Sequence, residues 1–561
     1  MRDLVAAFVL GGIGLRVAAL LGNPPLGLDD SRLALNIAAR TFGGLLQPLD
    51  HDQSAPPLYL LLQRTIVLTL GVHDWALRLL PLAFGIVLLV RTPAIVRRLL
   101  PDRAVAVATL LAACSPLLVH YSISVKQYGA EAALTLLAAG TMLSCRGASY
   151  RGGPASRMTA LGAILPWLAA PAPFVLSGGI ACAAGDLWRK DGGARSFLVR
   201  SVPLWAVSFA LAYLIAYQPA SDSPYLRRYW STALLAPFGD RYAERLWALS
   251  NENVWGLALG YPGPPGRHLS TLTFLGVAVA TLLLLTTGAR WLLRRHGWSV
   301  LLMVTAPLVA AAGASLVGLY PASLRLTLFA APLVQILFVA GLHAVIERLP
   351  EAAARRAWVV AGATLACPLL AICLLQLTRE PPENVRSLVA DLTSRRLEEP
   401  VYVFAGSIPP WLFYSTDWRT PDRERLKVVA RLAGSGGAAF ENAPSRGQVG
   451  QEQAVGLAHQ SAAGPELYGL ATGIEWTPSL GPLKRTTDAG WAETEADRVT
   501  ALEGAAAWLL MSHMVGSEVR LLRELERRGA CATYVRRLDN AMLVRYALSP
   551  RRSPGECRPT G

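Results

Sequence analysis

Apolar runs of bilayer-spanning length recur through the first two thirds of the chain and stop near Leu377. They fall at roughly 4–21, 56–70, 75–96, 104–121, 130–145, 158–187, 198–217, 269–293, 298–319, 324–346 and 357–377. Two of them do not read as single crossings. The run 56–70 is short, carries Gln63 and Arg64 and begins at Pro56-Pro57, which predicts a helix lying on the membrane surface. The run 158–187 is long and broken at Pro171 and Pro173, which predicts two short helices. Arginine and lysine cluster at Arg91/Arg97/Arg98/Arg103, Arg146/Arg151/Arg157, Arg189/Lys190/Arg195, Arg290/Arg294/Arg295 and Arg348/Arg355/Arg356. Placing all of these on the cytoplasmic side gives about eleven spans, with the N-terminus inside and the C-terminus outside. The loops 22–74, 121–130, 218–268 and 320–324 then share the outer face. GGIG at 11–14 reads as helix-packing surface, because no strand precedes it. Arg16, inside the first run, calls for snorkelling or a carboxylate partner in the first loop.

Beyond Leu377 the periodicity changes. VYVFAG (401–406), AAWLLMSH (506–513) and AMLVRYAL (541–548) read as strands or apolar core segments, and VRLLRELERR (519–528) reads as an amphipathic helix. The expected architecture is mainly α: a polytopic membrane helical bundle over 1–378, then a small extracytoplasmic α/β domain over 379–561. A flexible insertion is expected at about 433–464.

Composition agrees with a membrane protein. Of 561 residues, 53% are hydrophobic and 16% charged, with a mean hydropathy of +0.37. The net charge of +15 resides largely between apolar runs, which points to lipid headgroups and not to nucleic acid. The seven cysteines form no metal-binding spacing; Cys531 and Cys557 can pair if the tail is extracytoplasmic. Arg2 followed by an apolar stretch resembles a signal sequence, but no small-x-small cleavage site follows, so an uncleaved first span is expected.

Candidate chemistry collects on the outer face. The first loop holds Asp29 and Asp30, then Asp50, His51, Asp52 and Gln53. The second, HYSISVKQYGAE, holds Lys126, Tyr128 and Glu131; PYLRRYW holds Arg227, Arg228 and Trp230; the turn YPASLR ends on Arg325. Carboxylates can take a proton from a hydroxyl, and cations can hold a phosphate. Each feature also has a plainer reading. The aspartates can cap the helix that follows, 50–52 can be a solvated acidic turn, and Lys126 and Arg325 can snorkel at the interface. His513, beside Ser512, reads as structural. Asp29, Asp30, His51 and Asp52 are the residues able to take a divalent cation; no other cofactor is implied.

The runs LDDSRLALNIAARTFGGLLQPLDHDQSAPPLYLLL, WALRLLPLAFGI, YSISVKQYGAEAAL and YPASLRLTLFAAPL, in this order over about 1–380, resemble the GT-C membrane glycosyltransferases. The bacterial branch related to protein O-mannosyltransferases and lipid A aminoarabinose transferase is the nearest in pattern. The resemblance implies a polyprenyl-monophosphate sugar donor and transfer outside the cytoplasm to a glycan, lipid or protein hydroxyl, at a cell (plasma or inner) membrane. It carries over directly to Asp29 as the acceptor's base and, by chemical similarity, to Asp30, where relatives have Glu. It also matches Lys126, Tyr128 and Glu131 and the arginine after the YP turn, Arg325. Lys126, Tyr128 and Arg325 are then the candidates for the donor phosphate and Glu131 for substrate binding, while Asp52, Gln53, Arg227, Arg228 and Trp230 are substrate-binding candidates from their place on the outer loops alone. Direct displacement by the acceptor would invert the anomeric carbon. Two other classes stand beside this one, a secondary transporter and a non-catalytic scaffold presenting the tail. A transporter predicts paired charges mid-membrane and an internal repeat, neither of which the sequence displays.

Overall fold

The computed structural model describes residues 1–188, 192–235, 242–260, 271–395, 399–418, 476–478, 489–502, 504–514, 516 and 518–548. It is mainly helical, with one small sheet near the C-terminus. Two compact units emerge. One comprises Met1–Gly22, Ser54–Gln63 and Arg78–Arg379, and the other Asn23–Gln53, Arg64–Leu77 and Glu380–Gly561. The flexible insertion expected at 433–464 lies outside the described residues.

The first unit is the apolar bundle. Among the described residues seven helices are long and apolar enough to cross a membrane: Arg2–Leu21, Asp74–Val96, Gly192–Asp222, Gly276–His296, Trp298–Leu316, Leu324–Ile346 and Glu351–Thr378. Helices Pro57–Leu70 and Ala172–Leu187 are shorter. The run 158–187 does divide, into Gly152–Leu168 and Ala172–Leu187, with Pro171 at the N-cap of the second helix.

Leu89, Val105, Leu165, Phe329 and Val339 lie in the buried core of this unit. Gly12 lets the first helix approach its neighbours: a Cβ there would lie 2.6 Å from Leu89 Cδ2 and 2.8 Å from Ala113 Cβ. That is the packing role expected of GGIG. Arg16 departs from expectation. It is fully buried and neither snorkels nor meets a carboxylate. Its guanidinium donates to the carbonyls of Gly12 (3.0 Å), Ala112 (2.8 Å) and Ala113 (3.2 Å) and to Ser122 Oγ (3.1 Å). Two carbonyls at the end of helix Asp102–Cys114, with that of Gly12 on its own helix and the Ser122 hydroxyl, satisfy the donors that a carboxylate would otherwise take.

The second unit contains the sheet. Its strands are β1 (Val401–Val403), β2 (Trp476–Pro478), β3 (Ala506–Ser512), β4 (Cys531–Arg537) and β5 (Ala541–Ala547), in the order β2-β1-β3-β5-β4. The first three run parallel, and β5 and β4 complete the sheet antiparallel, with Val401 opposite Trp508 and Leu509 opposite Val544. β3 is buried at every position, as a central strand covered on both faces must be. Helix Glu518–Arg527 contributes Leu521 and Leu525, one turn apart, to the core beside Tyr402, Leu509 and Val544. Cys531, opening β4, is disulfide-bonded; Cys557 lies outside the described residues.

Candidate active site

Within the second unit, helix Leu28–Ala39 carries the paired aspartates. Gly27, in extended backbone, is its N-cap, and no side chain caps the helix there. Asp29 and Asp30 therefore occupy the first turn, half-buried. There the helix dipole and the unpaired N–H groups favour negative charge. The capping task falls elsewhere, to Glu383, whose Oε2 accepts from Leu28 N at 3.3 Å. Glu383 Oε1 meets His513 Nδ1 at 2.8 Å and accepts from Asn540 Nδ2 at 2.9 Å. His513 directly follows β3 and holds a left-handed backbone, φ 53°. Its hydrogen bond to Glu383 raises its pKa above the ordinary histidine value; burial opposes this, the Glu383 and Asp29 charges add to it, and Arg32 subtracts.

The start of the loop is tied down by distant residues. Arg386 donates to Asp74 Oδ2 (2.7 Å) and to the Asn23 carbonyl (2.8 Å). The Tyr414 hydroxyl donates to Asp74 Oδ2 (2.9 Å) and accepts from Leu26 N (2.6 Å).

The acidic cluster resolves into three different residues. Asp50 is buried in an ion pair with Arg40, whose Nε donates to Oδ2 at 3.1 Å and whose Nη2 lies 2.9 Å from Oδ1. Its backbone N–H and carbonyl are both held by Asn36. His51 is buried, and burial, reinforced by Arg32 and Arg40, pulls its pKa down to about 3, so the ring is neutral at physiological pH. His51 and Asp52 both adopt positive φ (61° and 52°), a strained pair for non-glycine residues. Asp52 and Gln53 are half-buried, and Gln53 Nε2 donates to the His51 carbonyl at 2.9 Å. Asp50 and His51 thus shape the loop, and Asp52 and Gln53 are the members with partial exposure. Among the described residues no three His, Cys, Asp or Glu side chains come together as a metal-holding group.

In the first unit, the Lys126 turn links helices Pro116–His120 and Tyr128–Gly147. Tyr59 donates its hydroxyl to the Val125 carbonyl (2.9 Å), and Arg78 Nε donates to the Ile123 carbonyl (2.8 Å). Tyr121 and Tyr128 pack edge to face at 5.3 Å. Lys126 is 8% exposed, too buried for a side chain that merely snorkels to water. Glu131 is buried and accepts from Ala170 N at 3.1 Å, securing the break between the two short helices. Burial raises the Tyr320 hydroxyl well above its ordinary pKa, and Glu131, Tyr128 and Tyr217 add to the effect.

Gly129 cannot be enlarged freely, since a Cβ there would lie 2.4 Å from the Tyr121 carbonyl oxygen. Gly129→Ala is therefore expected to destabilise the protein by about 1–3 kcal/mol, read as a lower thermal-unfolding midpoint of the purified full-length protein.

Arg325 lies in the short helix Leu324–Thr327. Its guanidinium stands 4.8 Å from the Trp230 ring centroid and 5.9 Å from that of Tyr229, and Nη2 donates to the Tyr229 hydroxyl at 3.0 Å. The aromatic faces keep its planar fork in one orientation. Two residues that sequence reasoning missed hold this turn. Glu252 Oε1 accepts from Leu324 N (3.1 Å), and Asn253 Nδ2 donates to the Ala322 carbonyl (2.6 Å). The polar run Asn251-Glu252-Asn253 inside helix Tyr242–Leu259 was the available signal. Arg227 is exposed and donates to the Asp222 carbonyl at 3.0 Å. Arg228 belongs to helix Pro224–Trp230, but its side chain lies outside the described residues.

Residues 54–164 match the family model of the dolichyl-phosphate-mannose-protein mannosyltransferases. The matched segment contains WALRLLPLAFGI and YSISVKQYGAEAAL, so the match bears out the resemblance carried by those motifs. No curated protein matches the chain. Among solved structures, ArnT from Cupriavidus metallidurans bound to undecaprenyl phosphate is similar at 15% identity over 97% of this chain and 98% of that one, with a TM-score of 0.44. The apo state of the same protein gives 16% identity with the same coverage and TM-score. An oligosaccharyltransferase from Archaeoglobus fulgidus, in complex with zinc and sulfate, is similar at 13% identity over 76% of this chain and 61% of that one, with a TM-score of 0.44.

Proposed function

We propose that the protein is an integral membrane glycosyltransferase. It moves a sugar from a polyprenyl-monophosphate donor to a hydroxyl of a glycan, lipid or protein acceptor on the extracytoplasmic face. The observation that carries this reading is the mannosyltransferase family match over 54–164, a segment that includes the buried Lys126 and Tyr128. In this reading residues 1–378 form the membrane-embedded transferase, with a cytoplasmic N-terminus, and 379–561 an extracytoplasmic domain, in a plasma or inner membrane.

The chemistry asks little of the leaving group, because a phosphate ester departs as a stable anion once cations hold it. Lys126 and Arg325 are assigned to that phosphate, as a compact ammonium and a planar fork respectively. Asp29 accepts the acceptor hydroxyl's proton as its oxygen attacks the anomeric carbon. The carbon–oxygen bond to phosphate breaks with its electron pair going to the phosphate, and the configuration inverts. Asp30, one residue along the same turn, is the secondary candidate.

The test uses membranes containing the full chain and undecaprenyl-phosphate mannose labelled in the sugar. Label is expected to pass to an acceptor with release of undecaprenyl phosphate. Equal transfer from a nucleotide sugar would sink the donor assignment. Lys126→Met and Arg325→Gln each remove a charge-assisted contact of about 1.5–3 kcal/mol. Each is therefore expected to lower kcat/KM for the lipid donor by roughly 10- to 100-fold.

A further inference from the structure

We propose that His513 and Glu383, supplied by the C-terminal domain, are positioning residues for Asp29, holding the first turn of helix Leu28–Ala39 in the attitude its base chemistry requires. This rests on the assignment of Asp29 as the base.

The geometry converges on a single carboxylate. Glu383 Oε2 takes the first helical N–H, that of Leu28, one residue before Asp29. Its other oxygen is gripped from two further elements, by His513 beyond the end of β3 and by Asn540 in the turn between β4 and β5. The backbone fixes the same place again, since Asn540 N donates to the Pro382 carbonyl at 2.9 Å. His513 stands at the carboxyl end of the parallel part of the sheet, where open α/β sheets present their ligand-facing residues. Behind it, Ser512 Oγ donates to the Gly406 carbonyl (3.1 Å), and Ser407 Oγ donates to Ser512 Oγ (3.0 Å). A left-handed backbone is uncommon for a non-glycine residue, and here it accompanies the contact of the ring with Glu383. At 41% side-chain exposure His513 remains reachable by solvent.

The charges acting on the ring are Glu383 before helix Val385–Ser394, and Asp29 and Arg32 on helix Leu28–Ala39. Of these, Glu383 and Asp29 favour the imidazolium and Arg32 disfavours it. A protonated His513 in turn favours ionised Asp29, because electrostatic coupling is reciprocal.

The test uses the full-length protein in lipid nanodiscs, with histidine labelled in the ring and the His513 resonance identified by its loss in His513→Gln. In Glu383→Gln the protonation midpoint of His513 is expected to fall, and in Asp29→Asn to fall by less, because each removes a negative charge that favours the imidazolium. An unchanged midpoint in Asp29→Asn overturns the proposal, whatever the activity of that variant. With undecaprenyl-phosphate mannose as donor, His513→Gln and Glu383→Gln are each expected to lower kcat about 10-fold with donor KM unchanged. The double variant should be no worse than the poorer single one, as for partners acting as a unit. Losses that multiply, or that track a falling thermal midpoint, would assign the pair a purely structural role. If instead the midpoints shift as expected while Asp29→Asn transfers sugar normally, the base assignment fails and not the coupling.

Discussion

Asp29→Asn is expected to reduce sugar transfer by roughly 10²- to 10⁴-fold, the span over which a positioned general base accelerates proton transfer. The substitution is nearly isosteric, so the fall should appear in kcat and leave donor affinity little changed. Stability should change little as well. A first-turn carboxylate contributes about 0.3–1 kcal/mol through the helix dipole, and the N-cap position belongs to Gly27. The measurement is a rate on membranes with undecaprenyl-phosphate mannose, paired with a thermal-unfolding midpoint on the same preparation. Full activity in a folded Asp29→Asn protein would falsify the catalytic assignment. Asp30→Asn is the comparison within the same turn. A drop as deep as that of Asp29→Asn would mean that the two carboxylates act jointly, and a few-fold change would leave the base at Asp29 alone.

Local pattern carried much of the fold. The apolar run at 56–70 became helix Pro57–Leu70, the proline break became the division after Leu168, and the amphipathic run 519–528 became helix Glu518–Arg527. These depend on periodicity and on proline, which act over a few residues. β4 escaped notice because CATYVRR is half-exposed throughout and interrupted by a bulge between Ala532 and Tyr534, so its alternation is weak. The network around Asp29 was illegible for a different reason. Leu28 and Glu383 are 355 residues apart, and Asp74 and Arg386 are 312 apart. No local pattern encodes such pairings, and His513 accordingly read as structural. The acidic cluster misled in the opposite way. The plainer reading of 50–52 was a solvated acidic turn, but Asp50 and His51 are buried, Arg40 takes Asp50, and burial neutralises His51.

That division makes Asp50→Asn the largest expected stability effect. Breaking a buried ion pair leaves its partner charged in a low-dielectric site and typically costs about 3–5 kcal/mol. Arg40 and Asp50 meet that description, with side chains only 2% and 5% exposed. Arg40 also donates to the Gly44 and Pro48 carbonyls at 2.9 and 2.8 Å, so the pair fixes the whole turn that delivers His51 and Asp52 in their strained conformations. The expected result is a clearly lower unfolding midpoint together with lost transfer activity, which distinguishes Asp50→Asn from Asp29→Asn. Replacing both partners, as Arg40→Met with Asp50→Leu, removes the orphaned charge and should recover most of the midpoint. Acid should act on the same turn. The folded-state pKa of His51 lies far below 6.5, so the stability drawn from its neutral ring is present above that pH and is lost as pH falls from about 6.5 toward about 3. A double variant as unstable as Asp50→Asn would show that the turn depends on the guanidinium's carbonyl contacts and not on the ion pair.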